Sequence, residues 1–311
     1  MKWLIGIDGG STKTQAVLCD ETGYVHNKTL TEGCSLTNVS KDEVTRRLTG
    51  VLDKLFKNTC ERKTAEGSCF GGFSGGDTGW KPAFLHENLK ILLPSMVTRN
   101  GHDSVIALTN GIGKKDGIVV IAGTGSGAFA RTGDTVHRVG GWGYKLSDEG
   151  SGYDLGRRAL MAVLHAHDGL GEATILTALC EEKLGESIIN AIARINNEEP
   201  SFIASFAPLL LEARDKGDPV ACMHAEEAAK ALSKIIFTAG KYISSPNKQV
   251  VLSGSVWKSI FMEKRVSELL GEDFHFIHPE LPPVFGAAIE AAALQGITAD
   301  LTFKNKFQNS F

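Results

Sequence analysis

Two short stretches of this sequence carry residue types able to grip an anion. The first, Asp8-Gly9-Gly10-Ser11-Thr12-Lys13-Thr14, follows the apolar run Leu4-Ile5-Gly6-Ile7 and precedes Ala16-Val17-Leu18. The second, Gly123-Thr124-Gly125-Ser126, follows Val119-Val120-Ile121-Ala122 and precedes Ala128-Phe129-Ala130. Glycines let backbone N–H groups approach a phosphate closely, and hydroxyl side chains add donors. Neither loop has the spacing of a Walker A loop or of a dinucleotide fingerprint. One such loop alone reads as an ordinary hairpin turn. The same small-residue turn written twice, in matching strand contexts, points to one nucleotide gripped by two related halves.

Two carboxylates stand near these loops in the chain. Asp8, at a strand end, could hold Mg²⁺ against nucleotide phosphates or cap its own turn. Asp103 follows a short strand and opens a helix; there it could take the proton of a hydroxyl attacking a γ-phosphate, although spacing alone favours an N-cap. Trp142, set among Gly140, Gly141 and Gly143, suits either a core or a sugar face. Asp148 and Glu149 are sequence neighbours that point apart, so at most one is expected to face a ligand. His165-Ala166-His167-Asp168 has metal-ligand types, but histidines two apart do not share a helical face, and the segment reads as a solvated helix end.

The elements that must position these groups follow from periodicity. Residues 3–8 and 15–19 read as two strands, with Gly23 closing the hairpin. Helical spacing of Val44, Leu48, Val51, Leu52 and Leu55 predicts a helix over 42–55, with Ser40 and Glu43 in the form of a capping box. Strands are expected at 68–73, 95–98, 117–121 and 250–255, and helices from Asp103, through Leu155 to Val163, and over 285–294. Residues 173–242 are nearly all helical in pattern, broken at Pro200 and at Gly217-Asp218-Pro219. This alternation predicts an α/β protein with a first domain at 1–109 and a larger second one at 110–311.

Composition narrows the partners. The chain has 311 residues, 42% of them hydrophobic, and a formal net charge of -3, which argues against nucleic acid or an anionic membrane as the main partner. No stretch approaches the roughly 20 apolar residues of a spanning helix, and the short apolar start is no signal peptide, so a cytoplasmic location is expected. Cys19, Cys34, Cys60, Cys69, Cys180 and Cys222 contain no C-x-x-C pair and read as inert thiols.

Taken together, the two loops, the segment Asp103–Leu108, Gly117–Ser126, Gly140-Gly141-Trp142-Gly143, Asp148–Gly152 and Ser253–Val256 resemble the BadF/BadG/BcrA/BcrD ATPase family, and within it the N-acetylglucosamine kinases. The resemblance runs in order from residue 3 to about 295. It implies two actin-like (ribonuclease H-like) ATPase domains with duplicated cores around a nucleotide cleft, ATP and Mg²⁺ as cofactors, and a homodimer. By position, Gly9, Gly10, Ser11, Thr12 and Lys13 would form the first phosphate loop, and Gly123, Thr124, Gly125 and Ser126 the second. Gly254 and Ser255 would lie beside the adenosine, Asp8 would hold the metal, and Asp103 would be the catalytic base. Asn38, Ser74, Gly75, Trp142 and Asp148 would line an amino-sugar pocket together with Asp103.

The implied reaction is ATP-dependent phosphorylation of a hexosamine hydroxyl, the 6-OH for an N-acetylglucosamine-type substrate. The sequence departs from its relatives at Gly127, where the vertebrate enzymes carry Asn, and at His102, where bacterial relatives often have Asn. N-acetylglucosamine, glucosamine and N-acetylmuramic acid all stay open as substrates. Two rival readings remain: an ATPase that activates a reductase or dehydratase partner, and a sugar sensor without turnover.

Overall fold

The computed structural model describes residues 2–37 and 39–311, and the chain divides into two compact units, 1–115 with 279–311, and 116–278. The first unit opens with an antiparallel meander of β1 (Trp3–Gly9), β2 (Lys13–Asp20) and β3 (Val25–Glu32). Helix α1 (Lys41–Phe56) follows, then β4 (Gly67–Phe73), α2 (Lys81–Leu92), β5 (Met96–His102) and α3 (Asp103–Ile112). The sheet order is β3-β2-β1-β4-β5, with β4 parallel to both β1 and β5.

Side-chain alternation along the strands fills both faces of this sheet. Ile5, Ile7, Ala16 and Leu18 share one core with Val44, Leu48, Leu52 and Leu55 of α1. Leu4, Val17 and Cys19 belong to a second core on the other face. Helix α1 starts as the Ser40/Glu43 spacing predicts, but only half of the capping box forms. The Ser40 hydroxyl accepts from the Glu43 N–H at 3.3 Å, while the Glu43 carboxylate turns to Arg46 and Arg47.

The second unit repeats the plan. Its strands β6 (Gly117–Ala122), β7 (Ser126–Thr132) and β8 (Thr135–Gly140) form the meander. Six helices come next: α4 (Gly152–Asp168), α5 (Leu176–Leu184), α6 (Ile188–Ile195), α7 (Pro200–Ala204), α8 (Ala207–Asp215) and α9 (Pro219–Gly240). The unit ends with β9 (Lys248–Ser253), α10 (Ile260–Leu270) and β10 (Phe274–Ile277). The sheet order β8-β7-β6-β9-β10 is the first sheet's order, element for element. Residues 173–242 thus form the helical layer whose buried Leu176, Phe206, Leu210, Ala225 and Leu232 share a core with Ile118 and Val120 of the sheet.

The chain then returns to the first unit with α11 (Pro283–Leu294) and α12 (Leu301–Ser310). The observed division therefore departs from 1–109 and 110–311. Helix α11 is apolar on nearly every side because it packs against both β1 and α3, and its buried Val284, Ala287, Ala288 and Ala291 complete the second core of the first sheet. Its one acid, Glu290, is buried and accepts from Thr109 Oγ1 at 2.5 Å and Lys114 Nζ at 2.6 Å. Among the described residues no helix is long and apolar enough to cross a membrane.

Candidate active site

In the first unit, strand register brings the candidate groups to one sheet edge. Asp8 of β1 lies beside Gly72 of β4, and Gly72 beside Gly101 of β5. The residues that follow these parallel strands, Gly10, Ser74 and Asp103, therefore emerge at the carboxyl ends of neighbouring strands, where ligands of open α/β sheets bind. The loop is pinned from behind: Gly10 N–H donates to Lys13 O at 3.0 Å, Cys34 N–H to Gly10 O at 3.1 Å and Ser74 N–H to Gly9 O at 3.0 Å. Ser11, Thr12 and Lys13 are left exposed, with Ser11 Oγ 3.5 Å from Ser74 Oγ.

Asp103 is the first residue of α3, and the preceding His102 supplies the N-cap, its ring Nδ1 accepting from Ser104 N–H at 3.2 Å. The aspartate that spacing offered as a cap is thus not the capping group. His102 Nδ1 also stands 2.9 Å from Asp103 Oδ1, and the Asp103 side chain keeps about a quarter of its surface exposed (24%). Burial and the Asp103 carboxylate together push the Asp8 carboxyl up to about 7, against a smaller opposing pull from Lys13. Two carboxylates repelling each other beside a glycine-rich loop are suited to share a hard cation.

The second unit builds its loop differently. Gly123 N–H donates to Gly125 O at 2.9 Å, and the first turn of α4 donates to the loop through Gly152 N–H to Gly123 O at 2.7 Å and Tyr153 N–H to Thr124 O at 3.1 Å. Ser126 Oγ donates to Glu149 O at 2.9 Å. Asp148 is buried (8% exposed) in a left-handed backbone conformation, φ 72°, and its carboxylate accepts from Gly143 N–H at 3.2 Å. Burial holds that carboxyl above the usual carboxylate range. A Cβ at Gly125 would sit 2.7 Å from Asp148 Oδ2, so this position has no room for a side chain. Trp142, in contrast, is 62% exposed, with the Arg138 guanidinium 4.3 Å from its ring centroid.

Beside this second loop opens a cavity of about 1220 Å³, lined by Gly123, Thr124, Ser255, Pro208, Arg214 and Phe261 among others. Gly254, just before Ser255 of that lining, has φ 107°, and a Cβ there would collide with Ala122 O, so only glycine fits. The Arg214 guanidinium stacks 3.7 Å from the Phe261 ring centroid, giving a flat cationic and aromatic wall. Pro208, Arg214 and Phe261 were not singled out by residue type; only the Pro200 and Pro219 punctuation marked the helices that carry the first two.

Of the remaining candidates, Ser74 and Gly75 sit at the end of β4, with Ser35 Oγ donating to Ser74 O at 2.9 Å. Asn38 lies outside the described residues. His165 and His167 are exposed on the last turn of α4. Burial pushes the Cys19 and Cys69 thiols far up, which leaves them protonated and unreactive in the core.

The chain is similar to known proteins along most of its length. A curated N-acetylmuramic acid/N-acetylglucosamine kinase of Clostridium acetobutylicum is 33% identical over 261 residues, covering 81% of this chain and 84% of that protein. An N-acetyl-D-glucosamine kinase of Dictyostelium discoideum is 29% identical over 309 residues, covering 92% and 97%. A solved structure described as a candidate N-acetylglucosamine kinase of Chromobacterium violaceum superposes with a TM-score of 0.78 at 23% identity, over 94% of this chain and 99% of that one, and establishes the shared fold. That fold is the actin-like ATPase fold of sugar kinases. The family model for the BadF/BadG/BcrA/BcrD ATPase family matches residues 5–291, and the chain belongs to that family.

Proposed function

We propose that this protein is an ATP-dependent amino-sugar kinase that phosphorylates the 6-OH of an N-acetylglucosamine-type sugar. The observation that carries the reading is the Asp8–Asp103 pair at the carboxyl ends of β1 and β5, on either side of β4 and beside the first loop. Phosphoryl transfer to an alcohol needs a group to take the hydroxyl proton and cationic charge on the transferred phosphate. Asp103 has a partly exposed carboxylate to accept that proton as the sugar oxygen bonds to phosphorus and ADP leaves. Asp8 is the residue to hold Mg²⁺, which when bound neutralises charge on the phosphates. The raised pKa of Asp8 is the strain such an ion would relieve.

The first loop, Gly9 to Lys13, and the second, Gly123 to Ser126, serve the phosphates of the nucleotide, and the cavity beside Gly254, Ser255 and Phe261 takes its adenosine. Ser74, Gly75, Asn38 and Trp142 bind the sugar, and Asp148 holds the turn that presents Trp142 by accepting from Gly143 N–H. The names of the Clostridium and Dictyostelium relatives support the substrate class. A homodimer and a cytoplasmic location complete the proposal, the former open to sedimentation analysis. An ADP-release assay over N-acetylglucosamine, glucosamine, N-acetylmuramic acid and glucose tests the function. An amino sugar should raise ADP release at least about tenfold over the sugar-free rate; no response to any of them overturns the reading.

A further inference from the structure

We infer that Lys81 is a specificity residue that reads a carboxylate on the acceptor sugar, an inference that rests on the amino-sugar kinase reading. Lys81 opens α2, immediately after the loop that leaves β4. Its side chain folds back over that loop, and Nζ donates to Gly75 O at 3.1 Å and to Thr37 Oγ1 at 3.4 Å. It thereby bridges the two segments of the first unit assigned to the sugar. Both partners are neutral, and an ammonium has three donors, so one N–H remains.

Some cations of the same unit do pair with acids: Arg46 and Arg47 with Glu43, Arg62 with Asp53, Lys114 with Glu290 and Lys304 with Glu280. Among the described residues no carboxylate pairs with Lys81. The neighbouring Lys41 lies 4.0 Å over the ring of Trp80, which is half exposed and precedes Lys81. A neutral hydroxyl or acetamide would be met as well by neutral donors. A half-buried, uncompensated cation instead discriminates in favour of an anion.

The substrate class this selects is an amino sugar with a carboxyalkyl ether on its ring, such as the 3-O-substituted N-acetylmuramic acid in the name of the Clostridium relative. O3 is carried on C3, separated by C4 from the C5 that carries C6, and the two substituents diverge from the ring. A sugar offering its 6-OH to Asp103 therefore turns that substituent away from the base, and a residue other than Asp103 must recognise it.

The test is steady-state kinetics of the full chain with N-acetylmuramic acid and N-acetylglucosamine, for the wild type, Lys81→Gln and Lys81→Arg. Lys81→Gln should raise KM for the acid about tenfold or more with kcat kept, and change KM for the neutral sugar less than about twofold. Lys81→Arg should retain most of the preference. In the wild type, KM for the acid alone should rise with ionic strength, a readout that needs no variant. Equal effects of Lys81→Gln on both sugars would make Lys81 a loop latch and overturn the inference. Turnover of N-acetylglucosamine without turnover of the acid would overturn it while the kinase reading stands; turnover of neither sugar would overturn both.

Discussion

The strand leading into the first loop ends on Asp8-Gly9, and its counterpart in the second unit ends on Ile121-Ala122. Register makes the equivalence: Asp8 pairs with Gln15 and Gly9 with Thr14 across the first hairpin, Ile121 with Gly127 and Ala122 with Ser126 across the second. One plan of five strands thus carries a carboxylate in one copy and an aliphatic side chain in the other. The first copy has Asp103 immediately after its fifth strand, whereas the residue immediately after the second copy's fifth strand, Phe274–Ile277, is His278. The second copy instead inserts six helices between its meander and its fourth strand, where the first has α1 alone. Three of those helices, α4, α7 and α8, wall a cavity. In the function proposed above, both copies of the loop serve phosphates, proton and metal chemistry falls to one unit and nucleoside binding to the other.

The sharpest way to break this contrast is to make the first copy resemble the second. Asp8→Asn should lower kcat/KM at least about a hundredfold, because the carboxylate that would hold Mg²⁺ against the phosphates is lost. The same change should stabilise the ligand-free protein. Burial and the Asp103 carboxylate push Asp8 up to about 7 in the folded protein, from the 3.8 of an ordinary aspartate, so between those pH values the folded chain holds a proton that the unfolded chain releases. Stability therefore falls as pH rises through that window, and the whole penalty is present above about pH 7. At pH 8 the variant should gain on the order of 1–3 kcal/mol, read as a rise in Tm. A variant with normal turnover, or with a lowered Tm, would contradict the assignment.

A smaller effect should separate neighbouring glycines of the second loop. Gly125→Ala drives a methyl into the Asp148 carboxylate and should cost about 1–3 kcal/mol, whereas Gly123→Ala meets open space and should leave Tm nearly unchanged. The smallest effect concerns pH. Asp103 raises the pKa of Asp8, so Asp103→Asn should move the acid limb of Mg²⁺ binding to lower pH; calorimetric titration across pH 5–8 checks the direction.

Much of this contrast was legible in the sequence because its signals are local. Gly/Ser/Thr turns between apolar runs announced both hairpins, and α1 observed at Lys41–Phe56 brackets its predicted span. The edge strands β3, β8 and β10 were not legible. In β3, the exposed His26, Lys28 and Leu30 alternate with residues that are only partly buried, so no apolar run marks it; β8 is likewise exposed or half-buried throughout, and β10 has only four residues. The return of α11 to the first unit is also invisible locally, since an all-round apolar helix does not say which sheet it serves. Asp8 and Asp103 could be nominated from their places at strand and helix ends. Their mutual repulsion, and the Arg214–Phe261 wall, depend on residues distant in sequence and appear only when the chain is folded.

The division of labour is tested most directly by measuring kcat and ATP Kd for two variants side by side, Asp103→Asn from the first unit and Phe261→Ala from the second. Asp103→Asn should lose about a hundred- to ten-thousandfold in kcat with ATP Kd within about twofold. Phe261→Ala should weaken ATP binding about tenfold while kcat at saturating ATP stays within about threefold. If Asp103→Asn turns over normally, or if both variants lose binding and turnover in the same proportion, the two units do not divide the work in this way.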